Sequence, residues 1–174
     1  MPSPEIAAER NAHALAGLRI AVGCLFLIFG QYKVFGTQFT LHGGFQYWIG
    51  KFLHDGAAYP FMVPVLKALV LPHAIAFAFL VAYGEFAIGW ALVLGVWVRP
   101  ASGFGFLYML TLLFSSNYPG PHAPLWQYFG ASLDHSMLAL CFAAFIAGRS
   151  DARFSLRTLI RKRAVSRPRY YSAR

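Results

Sequence analysis

The chain has 174 residues, 58% of them hydrophobic and only 12% charged. Soluble domains carry about 25% charged residues, so the composition excludes an ordinary water-soluble domain. The formal net charge of +9 is concentrated, with nine of the fifteen Lys and Arg in residues 149–174; with so apolar a body this argues against a nucleic-acid partner and for a basic tail against anionic lipid headgroups.

The first fourteen residues carry Glu5 and Glu9 against Arg10 alone. A cleaved signal starts positively charged, so the first apolar segment is expected to remain as a helix. A membrane-spanning helix needs about 20 mostly apolar residues, and four segments qualify. They run from Leu15 to Tyr32, His73 to Val98, Ala101 to Asn117 and Leu133 to Ala147. The last is short and is expected to begin at Pro124, a residue suited to the first helical position, with Gly148 as its stop. Between the first two spans, Phe45, Trp48, Ile49, Phe52 and Leu53 recur at helical spacing opposite Gln46, Lys51 and Asp55, and Gly56 ends the run. This predicts a short amphipathic helix, lying on the outer membrane surface in preference to capping the bundle. A second stripe, Phe154, Leu156, Leu159 and Ile160 among Arg153, Arg157, Arg161 and Lys162, is expected along the cytoplasmic headgroups. The two cysteines, Cys24 and Cys141, lie in apolar segments with no metal-ligand spacing, so neither a disulfide framework nor a zinc site is encoded.

The expected fold is therefore all-α: an integral membrane four-helix bundle over residues 15–148, a cytoplasmic segment 1–14 and a basic cytoplasmic tail 149–174. The tail and Arg99 mark the cytoplasmic side, and the third connection has no Lys or Arg, so both termini are placed in the cytoplasm. Tyr118, Trp126 and Tyr128 then form an outer aromatic belt.

Ionisable groups inside a span cost about 2.5–3.5 kcal/mol each, which makes them the informative residues. Glu85 and Asp134 both come out about 20 Å above the cytoplasmic ends of their helices, counted at 1.5 Å per residue. His135 adjoins Asp134, and Ser115, Ser116 and Asn117 reach a similar level. Gln31 and Lys33 lie a turn or two higher, and a lysine can snorkel toward that layer. Lys33 is expected to pair with Glu85 or Asp134. The layer reads as a buried polar pocket opening outward, able to hold a quinone headgroup, a small polar ligand or a proton, or else as a network that only fixes helix packing. Arg19 lies near the inner end of the first span and either snorkels or pairs across helices. His42, His54, His73 and His122 share the outer side without an HxxxH or HxH spacing, so no metal site is expected. Gly23, Gly30, Gly84, Gly89, Gly95, Gly103 and Gly105 are read as close helix contacts.

Leu18-Arg19, the run Gly30-Gln31-Tyr32-Lys33-Val34-Phe35, and Glu85-Phe86-Ala87-Ile88-Gly89 followed by Leu94-Gly95 and Arg99 resemble the DoxX/DoxD-like family of small four-helix membrane proteins. The similarity covers about residues 15–160, although Arg157 stands where an acidic residue is usual. It implies a protein of the cytoplasmic (inner) membrane tied to redox systems, since relatives are subunits of thiosulfate:quinone oxidoreductase or parts of membrane oxidoreductase complexes. It also carries Arg19, Lys33 and Glu85 over as functional positions. The reading that follows is an accessory or quinone-interacting subunit of a quinone-linked oxidoreductase. Glu85 and Asp134 would be its reactive acids, and Lys33, Arg19, His135 and Gln31 its ligand contacts. The partners implied are the lipid bilayer, redox-complex subunits and a quinone. The alternatives are a solute or proton transporter using the same acids, and a non-catalytic scaffold.

Overall fold

A computed structural model of the protein describes residues 3–130, 133–148 and 150–156. All regular structure among the described residues is helical: α1 (Pro4–Phe35), α2 (Thr37–Thr40), α3 (Gly44–His54), α4 (Met62–Val65), α5 (Ala74–Leu94), α6 (Val98–Ser116) and α7 (Asp134–Ala147). A π-helical turn, Leu66–Val70, continues α4, and a 3-10 turn, Leu125–Phe129, precedes α7.

The four predicted spans correspond to α1, α5, α6 and α7, with corrections at their ends. α5 stops at Leu94 instead of Val98, because Gly95 at φ 68° turns the chain out of the helix. α1 begins at Pro4 instead of Leu15, because local chemistry favours a helix well before the apolar run starts. Ser3 Oγ accepts from the Ile6 amide at 3.5 Å, and Glu5 lies in the first turn, where a carboxylate complements the helix dipole. α6 starts at Val98, ahead of Pro100; a proline in the first turn gives up only an amide that has no intrahelical acceptor. α7 does not reach back to Pro124. Gly130 at φ 87° and Leu133 at φ 56° turn the chain out of the helical path, so the helix starts at Asp134. Its fourteen residues extend about 21 Å, against a hydrocarbon thickness of about 30 Å. By length and composition, α1 and α5 are the two helices long and apolar enough to cross a membrane.

α1 packs on α5 and α6 on α7, with α5 and α6 joining the pairs. Glycines set the first contact. A Cβ on Gly30 would sit 2.8 Å from the Phe86 amide, and one on Gly89 2.9 Å from that of Leu27, so the α1 and α5 backbones touch as small residues allow. Gly23 faces Leu92 and Val93 in the same way, and Gly105 makes room for the Phe142 ring. Gly84 and Gly103 have nothing within 4 Å and are not helix contacts of the expected kind; Gly95 ends α5 at φ 68° and lies close against Arg19 of α1 and Ser155. Val22, Phe26, Ile88, Leu92, Met109, Phe142 and Phe145 form the core between the helices. The outer faces are apolar as well: Phe104, Leu107, Leu80 and Leu140 are all exposed. Such a surface suits lipid, not water.

The amphipathic helix is α3, and Gly56 follows it as expected. Part of its stripe is turned into the protein. Phe45 and Ile49 are buried against Leu66, Val70, Ala74 and Ala78, so α3 caps the bundle and leaves Tyr47 and Trp48 exposed. The reason is that α4 and its π turn present an apolar face at the same end. Tyr118 and Tyr128 are half-buried and pack at tilted and edge-on angles around Tyr59, whose hydroxyl donates to the Tyr128 carbonyl at 2.6 Å; Trp126 alone of the three stays exposed. Burial, with a smaller contribution from Tyr128 and Tyr118, raises the Tyr59 pKa. Of the second amphipathic stripe, Arg157 onward lies outside the described residues.

Candidate functional site

Close approach of α1 and α5 at Gly30 and Phe86 sets the next turn of each helix side by side. Lys33 is three residues beyond Gly30, and Glu85 precedes Phe86, so the two side chains meet. Lys33 Nζ donates to Glu85 Oε1 at 2.5 Å. The cation sits in the last turn of α1, where the helix dipole favours it, and its Nζ lies 5.1 Å from the centre of the Phe39 ring. From α6, the Tyr108 hydroxyl donates to the same oxygen, Oε1. Glu85 itself is only 6% exposed, and its second oxygen, Oε2, is buried without a donor among the described residues. An ionised carboxylate spreads its charge over both oxygens. Leaving one of them buried and unbonded costs about 1–3 kcal/mol or more.

Glu85 and Lys33 border a cavity of about 340 Å³ between α1, α5, α6 and α7, a volume within the range of small-molecule sites, about 300–1,000 Å³. Phe26 and Phe29 line it from α1, Met109 and Leu112 from α6, and Asp134, His135 and Leu138 from α7. Phe26 meets Phe142 edge to face at 5.2 Å and closes the inner end. Phe29, 62% exposed, and the exposed Asp134 are the outermost of these residues, which puts the mouth between α1 and α7.

His135 Nδ1 lies 2.9 Å from Asn117 Oδ1 and 3.2 Å from Asp134 Oδ1. Ser116 Oγ also donates to Asn117 Oδ1, at 2.9 Å. Those oxygens can only accept, so the network assigns the imidazole proton to Nδ1 and leaves Nε2 as the ring's acceptor. Asp134 is the first residue of α7 and accepts from the His135 amide at 2.7 Å, a favourable place for an acid on the helix dipole.

Four of the six residues singled out from sequence, Lys33, Glu85, Asp134 and His135, thus border one cavity. Gln31 does not. It is exposed, because two residues of helix turn it about 200° from Lys33. Arg19 does not either: it lies fourteen residues before Lys33, about 21 Å toward the other end of α1. There its guanidinium is fully buried and donates to the Phe154 carbonyl at 2.8 Å. Tyr108 is the residue that sequence reading missed. Its signal was its spacing, seven residues before the polar Ser115, which puts both on one stripe of α6. No group of three metal-ligating side chains occurs among the described residues; His42 and His73 bond carbonyls of Thr37 and Leu69 nearby in the chain.

No curated protein and no solved structure matches the chain. The DoxX family model matches residues 14–117, a stretch from α1 to the end of α6 that contains Arg19, Lys33, Glu85 and Tyr108 but not Asp134 or His135. With apolar helices of spanning length and this match over more than half its residues, the chain is a membrane protein that belongs to the DoxX family.

Proposed function

We propose that the cavity binds a quinone headgroup and that the protein is an accessory or quinone-interacting subunit of a membrane redox system. The observation that carries this is the wall of the cavity: a buried carboxylate held by a lysine and a tyrosine, with one oxygen unbonded, inside an apolar bundle. A charge in such a place is costly and marks a functional site by default. Phe26 and Phe29 would hold a flat ring, and Glu85 would accept a hydrogen bond or a proton from a ring oxygen. Lys33 would balance the charge. Asp134 and His135, at the mouth, would exchange protons with the outside. In this account the chain sits in the cytoplasmic membrane with both termini inside, as the basic tail and the Arg99 turn favour, and the cavity opens in the outer half. Redox-complex subunits are its partners.

A photoreactive azidoquinone added to the protein in lipid nanodiscs tests the site. Labelling is expected in Phe26–Lys33 of α1 and Asp134–Leu138 of α7, and an excess of unlabelled quinone should suppress it. Labelling spread along the lipid-facing residues, and not suppressed by competitor, would overturn the proposal.

A further inference from the structure

Among the described residues Glu85 receives both of its donors on one oxygen, Lys33 Nζ and the Tyr108 hydroxyl on Oε1, and none on Oε2. What the cavity lacks is therefore a donor. His135 also lines the cavity; with Nδ1 held by Asn117 and Asp134, its neutral ring has Nε2 as the acceptor. Met109, an unbranched and adaptable side chain, also borders the cavity, and a ligand reaches the buried Oε2 by displacing lining side chains.

We infer that the site selects the reduced, hydroxyl-bearing form of its ligand, the quinol over the quinone. This rests on the quinone-binding reading above. A quinone carbonyl has lone pairs only. It takes a hydrogen bond from Lys33 and leaves Glu85 Oε2 as bare as in the empty site. A quinol hydroxyl donates to Oε2 and still accepts from Lys33, so it satisfies both partners of the ion pair at once. The quinol should bind about tenfold to a hundredfold more tightly, the ratio expected of one hydrogen bond to a charged acceptor. Tighter binding of the reduced form raises the potential of the bound couple, by about 30 mV for each tenfold in this two-electron pair. The site then favours holding reduced quinone, as suits a step that delivers electrons to the quinone pool.

The test is equilibrium binding of decylubiquinol and decylubiquinone, measured anaerobically on the protein in nanodiscs. The wild type should prefer the quinol by about tenfold or more. The double variant Glu85→Gln/Lys33→Met, checked for retained helicity and monodispersity, should show a ratio near one. Equal binding of the two forms, or tighter binding of the quinone, overturns the selectivity and leaves the quinone site standing. A quinol preference that survives in the folded double variant overturns the role of Glu85 Oε2. Binding of neither form overturns the quinone reading itself, and the selectivity with it.

Discussion

At Glu85, charge, burial and hydrogen bonding all act on one side chain, and the partners can be separated by substitution. Lys33 keeps 23% side-chain exposure and Glu85 7%, so the pair is largely but not wholly withdrawn from solvent. Removing one member strands the other charge, and the loss should be near the low end of the range for broken buried pairs, about 3 kcal/mol. Glu85→Gln and Lys33→Met are each expected to lower the unfolding temperature in detergent, with the double variant recovering part of it. Strictly additive losses would show that the two side chains do not interact. Tyr108→Phe removes a single hydrogen bond to a charged oxygen and should cost about 1.5–3 kcal/mol by the same assay. Lys33 and Glu85 were legible in the sequence because charges are rare in apolar helices. Tyr108 was not, since a tyrosine there reads as bulk until its hydroxyl is seen to reach Glu85. Gln31 misled for the opposite reason: polarity and depth were right, but helical phase turns it outward.

Between elements, the contact of α1 with α5 decides whether the pair can form at all. Gly30→Ala would place a methyl group against the Phe86 backbone, which cannot give way as a side chain can. It should destabilise by about 1–3 kcal/mol through overpacking and loosen the Lys33–Glu85 bond. Gly84→Ala and Gly103→Ala meet nothing within 4 Å and should be neutral or stabilising by up to about 1 kcal/mol, from helix propensity. Thermal unfolding of the three variants checks the contrast; equal losses in all three would refute the packing assigned to Gly30. Periodicity revealed which glycines lie in helices, but not which face a neighbour. The same limit applies to α3. Its stripe was legible, whereas its burial against Leu66 and Val70 depended on a turn after α4 that no local signal announced. The start of α7 escaped because the preceding apolar residues continue the helical composition while Gly130 and Leu133 break the backbone path.

For the whole molecule, the positions of α1, α5, α6 and α7 were legible from hydropathy, because a helix satisfies its own backbone hydrogen bonds in lipid; of the described helices, α1 and α5 are long and apolar enough to span. The orientation proposed from charge can be tested directly. Reporter fusions at Arg174 and near Gly120 should report cytoplasmic and external locations respectively, and an externally active reporter at Arg174 would reverse the topology. Residues from Arg161 onward lie outside the described part of the chain, and their composition is that of an electrostatic appendage. Truncation there should weaken association with anionic vesicles, the difference being largest at low salt and shrinking as salt screens the tail's charge, while the helical body remains folded. Loss of all folded protein would show the tail to be structural.

The central claim, that the Lys33–Glu85 pair serves a ligand and not only helix packing, is tested most directly by quinone binding to a protein that has lost the pair but kept its fold. Decylubiquinone titrated against the Glu85→Gln/Lys33→Met protein in nanodiscs should bind at least about tenfold more weakly than to the wild type, as loss of a charged hydrogen-bond partner requires, with helicity unchanged. Wild-type affinity in the folded double variant would contradict the account and leave the pair as structural glue.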